Sequence, residues 1–419
     1  MRPRVFIVSL IFSILFSSMG LAMEADWGGH LRAQGTASRL SGSNILDETG
    51  DSGPFHDGSF DGRLKGEMDF GENLTIKIHA EAGVSGGELW KARSRLARII
   101  PGMPGPASPS DDRRFFRLTL TDSHDDSRAS WVRLDRLVGT WNLDQGTLRV
   151  GRQALTWGGG MIFNPMDLLN PFAPSDVIRD YKVGDDMVVF EGQMAWLDEI
   201  QVAGVPRRNE DGDVVWSHSS VAVKAGKTMG ETDATLLFAR HYEDVVAGGG
   251  LTRYIFDAAW RADILWTEPK SHAGYLSAVT NIDYSWVAFG HNMYGVLELY
   301  FSGIGENDAK KAFSDPQIME RRGRGELFAL GKTYLCGQLK FEAHPLVNLH
   351  LSTIFNLSDA STLIQPRVTW DALTSVTFLA GLDIPTGAAD TEYGGLRIPP
   401  SNKPARSPTR AYILATWYF

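Results

Sequence analysis

Apolar side chains recur at every second position through segments of roughly 10–15 residues, and this repeats along nearly the whole chain. In residues 74–82 (Leu-Thr-Ile-Lys-Ile-His-Ala-Glu-Ala) every even position is apolar and every odd one polar. Residues 61–70 set Leu64, Met68 and Phe70 against Arg63, Lys65, Glu67 and Asp69. The same alternation runs through 252–266, 328–342, 347–356, 361–371 and 373–383. Period two places one set of side chains on each face of a strand. Strands of this length match the ~9–11 residues that cross a tilted bilayer better than the ~5–6 of globular sheets. Mean hydropathy is only −0.16, which fits a wall whose lipid-facing and lumen-facing residues alternate. The expected fold is therefore all-β: a transmembrane, antiparallel, up-and-down barrel.

Further candidate strands lie near 26–37, 128–141, 147–157, 186–196, 198–206, 218–227, 232–242, 273–287, 291–302 and 408–419. With the seven above they make 17, an odd number that fits poorly with a single-chain bacterial barrel. Either one hairpin is over-split or residues 115–121 form a strand inside an apparent loop, so the expected count is 16 or 18. Long irregular stretches occupy 38–59, 85–112, 158–185, 303–326 and 386–407, and no internal repeat or linker appears.

Both ends point the same way. Met1-Arg2-Pro3-Arg4 is basic, Val5 to Leu21 is apolar and Gly20-Leu21-Ala22 is small, so residues 1–22 read as a removable secretory signal and 23–419 as one barrel domain. The final residues, 411–419, alternate Ala411, Ile413, Ala415, Trp417 and Phe419 on one face. Trp417 and Phe419 look like the signal read by barrel-assembly machinery, which places the chain in a bacterial outer membrane.

Composition narrows the partners. Cys336 is the only cysteine, which excludes an internal disulfide and a multi-cysteine metal or haem site, so neither cofactor nor metal is expected. The net charge is −9, and more acidic still without Arg2 and Arg4, which argues against nucleic acid. Lipid, lipopolysaccharide, the assembly machinery and small polar solutes remain as partners, and oligomeric state is left open. The basic stretch 88–100, with Lys91, Arg93, Arg95 and Arg98, suits either lipopolysaccharide phosphates or a solvated helix.

The densest segment runs Leu148-Arg149-Val150-Gly151-Arg152-Gln153-Ala154-Leu155-Thr156-Trp157-Gly158-Gly159-Gly160, then Phe163-Asn164-Pro165-Met166-Asp167-Leu168-Leu169-Asn170-Pro171-Phe172. Over roughly 130–190 the chain resembles porin-like outer-membrane barrels of proteobacteria, which carry a GRQ-x-x-x-WG strand end followed by an Asn-Pro-x-Asp-Leu-type loop. The resemblance implies a barrel and a channel, with little about cargo. The residues themselves agree. Leu148 and Val150 face lipid and turn Arg149 inward, while a bulge at Gly151 would turn Arg152 inward too. With Arg133 and Asp135 on the neighbouring strand, these make a candidate pore lining that sorts solutes by charge or, alternatively, braces the wall. Loop 158–185, with Phe163, Asn164, Asp167, Phe172, Arg179, Lys182 and the following Asp186, is expected to fold into the lumen as a constriction, because its prolines and large apolar groups suit water poorly.

Two rivals remain. An export or conduit barrel for a polymer or redox partners needs a wide, unplugged lumen. An outer-membrane hydrolase is suggested only by Gly83-Val84-Ser85-Gly86-Gly87, which matches G-x-S-x-G but sits among strands rather than in an alternating α/β sheet.

Overall fold

Alternation of this kind leaves each strand one apolar face and one polar face, and lipid forbids a free edge, so the strands have to close on themselves. A computed structural model shows that they do. It describes residues 23–51, 53–100, 105–179, 181–398 and 401–419; the expected signal at 1–22 lies outside them. In chain order the strands are β1 (Met23–Arg39), β2 (Phe55–Phe70), β3 (Leu74–Gly87), β4 (Thr119–Asp125), β5 (Arg128–Leu143), β6 (Gly146–Gln153), β7 (Asp185–Met194), β8 (Leu197–Val205), β9 (Ser220–Met229), β10 (Thr232–His241) and β11 (Asp244–Ile255). They continue with β12 (Ala258–Glu268), β13 (Tyr275–Ala288), β14 (His291–Ser302), β15 (Thr333–His344), β16 (Val347–Asn356), β17 (Ser361–Leu373), β18 (Val376–Thr386), the two-residue pair β19 (Leu396–Arg397) and β20 (Pro404–Ala405), and β21 (Thr409–Tyr418). All of these except β4, β19 and β20 form the barrel, an antiparallel ring of 18 strands. It closes where β21 pairs with β1 from His30–Tyr418 to Arg39–Thr409. Phe419 extends that seam by exchanging backbone hydrogen bonds with Gly29.

The count of 18 has a specific origin. Residues 252–266, which read as one strand, are the two arms of a hairpin, with Phe256 and Asp257 between β11 and β12. A two-residue turn preserves parity, so Tyr254, Phe256, Ala258 and Trp260 keep alternating across it. Residues 115–121 do enter a strand, β4, but it pairs only with β5 and is no stave of the ring.

The outer surface carries the apolar phase: Leu236, Phe238, Ile264, Leu297 and Ile413 are each more than half exposed. Trp141, Trp370 and Trp417 stand at one end of this band as an aromatic girdle. At that same end all turns are tight, and β1 starts and β21 finishes there. The long connections gather at the other rim. Short turns belong to the periplasmic side of such barrels, so the segment between β6 and β7 springs from the outer rim. In β3 the even positions point outward as the alternation requires, while Glu81 and the neighbouring Arg63 of β2 are buried in the interior.

The exterior register generates a test. Leu236→Arg places a charge on the lipid face near mid-strand and is expected to lower the unfolding free energy in liposomes by about 2–4 kcal/mol. Lys340→Gln, on the inner face of β15, should be close to neutral. Equal effects in urea titrations would contradict the register.

Candidate functional site: a segment folded across the lumen

The chain leaves the wall after Gln153 and returns at Asp185. Between these points it crosses the interior, for a reason visible in its composition. Leu155, Trp157, Met166 and Leu169 bury themselves against inward apolar side chains of β7 to β12, among them Val189, Ala203, Leu237 and Leu265. Ile162 and Phe163 form a second cluster with Val279, Tyr300, Tyr334 and Ile354. The Phe163 ring stacks on Tyr300 with centroids 4.5 Å apart. Apolar patches on the inner wall thus receive apolar residues of the segment, which removes both from water. The segment between β6 and β7 thus lies against the inner wall along two apolar clusters.

Polar contacts fix its position. Asp263 of β12 accepts the Gly159 N–H at 2.6 Å, and Glu298 of β14 accepts the N–H groups of Met161, Ile162 and Phe163. Gln365 of β17 donates to the Ser175 carbonyl. Tyr181 donates to Glu81 of β3 at 3.0 Å, and the Arg63 guanidinium lies 3.6 Å over its ring. Inside the segment Lys182 pairs with Asp167 and also donates to the Leu155 carbonyl. Burial pushes the Asp167 carboxyl up to about 6 against the pull of Lys182, and burial likewise lowers the lysine. Asn164 donates to the Trp157 carbonyl, closing the turn at the tip. Arg179 pairs with Asp176 at the exposed upper side. Phe172 is half-buried beside Arg113, Arg179 and Arg207, lining a cavity of about 560 Å³ on the outer side of the segment.

The four residues expected to line the pore separate into two groups. Arg133 and Asp135 enter one interior cluster: Arg133 pairs with Glu81 at 2.9 Å, while Asp135 takes Arg63 at 2.6 Å and Arg136 at 2.7 Å. The Gly184 N–H also binds Asp135, so the cluster holds the root of the crossing segment. Arg149 faces inward toward the tight-turn side and pairs with Glu191 at 3.3 Å. Arg152 differs. It is 1% exposed, and its guanidinium binds Asp186 through two nitrogens, Asp111, and the carbonyls of Leu134 and Phe116. These contacts sit within the wall rather than in the open lumen.

The bulge is also elsewhere. The ladders through Gly151 run without a register shift, although its φ is 124°. The shift falls between His79 and Ala80 of β3, opposite an extra residue, Asp135, on β5. A bulge re-aims side chains, and here it brings Asp135 and Arg136 together at the segment's root.

Arg152 marks a seam. β6 has eight residues, so β5 outruns it, and β4 pairs along the free edge of β5 instead. The residues leading into β4 then bridge across to the end of β8, with Arg114 opposite Arg207 and the Arg208 N–H on the Arg113 carbonyl. Three arginines and three aspartates bind this patch: Arg114, Arg152 and Arg207 with Asp111, Asp185 and Asp186. All but Arg114 are 7% exposed or less. Ser85 lies within β3, in register with Ser59 and Ala129, so the G-x-S-x-G stretch is part of the antiparallel wall.

The geometry defines an outer-membrane β-barrel of porin-like fold with one segment folded inward. No protein-family model matches the chain, and no curated protein does. Solved structures share its fold. OccAB1 of Acinetobacter baumannii superposes with a TM-score of 0.54 at 9% identity, covering 94% of this chain and 96% of that one. OccK5 (OpdH) of Pseudomonas aeruginosa gives 0.52 at 9% identity, covering 94% and 98%, and OccAB3 of Acinetobacter baumannii gives 0.52 at 10%, covering 94% and 99%. At this identity the likeness is one of fold.

The seam predicts a stability effect. Arg152→Gln leaves Asp111 and Asp186 buried without their shared cation, which costs about 3–5 kcal/mol. The variant should lose its heat-modifiable compact form at a lower temperature on gels, with ion preference unchanged. An altered ion preference with full stability would return Arg152 to the passage.

Proposed function

We propose that this barrel is an outer-membrane channel for passive, weakly selective passage of small polar solutes. The observation that carries the reading is the segment between β6 and β7, which narrows an 18-stranded lumen otherwise wide enough for water. The packing of its apolar side against β7 to β16 leaves the opposite flank, toward β1 to β3, β5 and β17 to β21, as the route. Along it Arg32, Arg63, Arg133, Arg136, Arg367 and Arg410 stand against Asp61, Glu81, Asp135 and Asp383. Opposed rows of fixed charge set a transverse field, and the surplus of arginines favours anions. Arg149 belongs to the same passage nearer the periplasm, tempered by Glu191.

On this reading lipid, lipopolysaccharide and the assembly machinery are partners, the last through Trp417 and Phe419. A conduit for polymers or redox partners calls for an unobstructed lumen, and a segment anchored to β3, β12, β14 and β17 counts against it.

Planar-bilayer recordings test the proposal. Deleting Asn164 to Pro171 should raise single-channel conductance by removing the narrowest section. Replacing Arg63 and Arg367 with glutamine should move reversal potentials toward cation preference. If the protein conducts but neither change alters conductance or preference, passage does not run along this flank. Absence of conductance in every variant would remove the channel reading itself.

A further inference from the structure

We propose that Glu298 is the positioning residue of the constriction, a wall carboxylate around which the tip of the crossing segment is folded. Glu298 lies on β14 between Leu297 and Leu299, whose side chains face lipid, and it is itself 0% exposed. It accepts three consecutive backbone N–H groups: Met161 at 2.7 Å, Ile162 at 3.1 Å and Phe163 at 2.7 Å. The Asn281 side chain of β13 donates to it at 3.3 Å and also to the Gly159 carbonyl at 2.9 Å. Among the described residues no lysine or arginine forms an ion pair with it. Its charge is therefore balanced by peptide dipoles of the segment, and such charge-assisted bonds are about twice as strong as neutral ones.

This explains Gly158-Gly159-Gly160. Gly158 has a φ of 87°, and a Cβ at Gly160 would stand 2.0 Å from the Phe163 carbonyl oxygen. The glycines allow the chain to curl tightly enough for three successive N–H groups to converge on one carboxylate. Phe163, placed by the last of these bonds, then stacks on Tyr300 and packs against Tyr334.

The arrangement depends on the carboxylate form. A protonated or amide side chain presents a donor to N–H donors and loses part of its acceptor capacity. Other groups near Glu298 are the Cys336 thiol on β15, its cross-strand neighbour, and the Tyr300 phenol on β14. On the β12 side stand Asp263, which holds Gly159, and Arg261, which is committed to Asp283 and Asn281.

The test uses a nitroxide at Met161, an exposed position, introduced by Met161→Cys in a Cys336→Ala background and read by electron paramagnetic resonance in reconstituted barrels. The mobile fraction of the label should be small with Glu298 at pH 7.5 and should rise about tenfold or more in Glu298→Gln, since hydrogen bonds to a charged group are lost. With Glu298 present, acidification should produce the same mobile spectrum; in Glu298→Gln the spectrum should not change with pH. Heat-modifiable migration in both forms shows that the barrel is intact. Should Glu298→Gln fail to assemble, the pH profile of the glutamate form decides alone. An immobile label throughout, in either form and at every pH, overturns the proposal. The inference rests on the channel reading only for its effect on conduction. A label that becomes mobile with conductance unchanged upholds Glu298 and defeats the constriction, whereas the reverse upholds the constriction and defeats Glu298.

Discussion

A wall immersed in lipid cannot leave a row of peptide groups unpaired, and the rest of this structure follows from how that rule is met where β6 stops short. A segment that turns into the lumen opens a notch in the wall on both sides of its roots. The notch is filled by the chain from Asp111 to Asp125, a stretch that sequence order assigns to a surface connection. β4 satisfies the edge of β5, backbone bonds reach residues 207 and 208, and exposed Phe115, Phe116 and Leu120 restore an apolar exterior. Inward segment and patch are thus one device, the second closing the notch that the first opens.

Electrostatics follow from the same geometry. Behind the patch, peptide carbonyls at broken ladders and the two roots of the segment all need partners, and a buried guanidinium with its fork of donors can serve several at once. Arg152 serves two aspartates and two carbonyls. Buried charges are tolerable only when paired and hydrogen-bonded, which accounts for the equal numbers of arginines and aspartates at the seam. Inside the lumen, where water is the alternative partner, balance is looser and arginines outnumber carboxylates along the proposed route.

Much of this was legible in the chain. Alternation located nearly every strand. The large apolar residues of 155–169 are visible in the chain, and they are the ones that pack on the inner wall. What escaped were features with no local signal. The Phe256-Asp257 turn keeps parity and contains neither glycine nor proline, so two strands read as one. A bulge demands no particular residue, and it fell at Asp135 while the glycine at 151 remained in register. Asp263 and Glu298 are recognisable as inward acids, each between apolar neighbours, yet their partners lie more than 100 residues away. The charge of Arg152 was plain, but whether it met water or the wall depended on β4, which pattern alone could not set in the seam.

The patch also changes how many passes of chain make up the wall along its height. At the periplasmic end the circumference is built from 18 strands. At the outer rim β6 and β7 have ended, and a single pass of chain between β5 and the end of β8 stands in for both. One pass of chain thus takes the place of two staves at the outer rim, without changing the number that the periplasmic girdle has to hold.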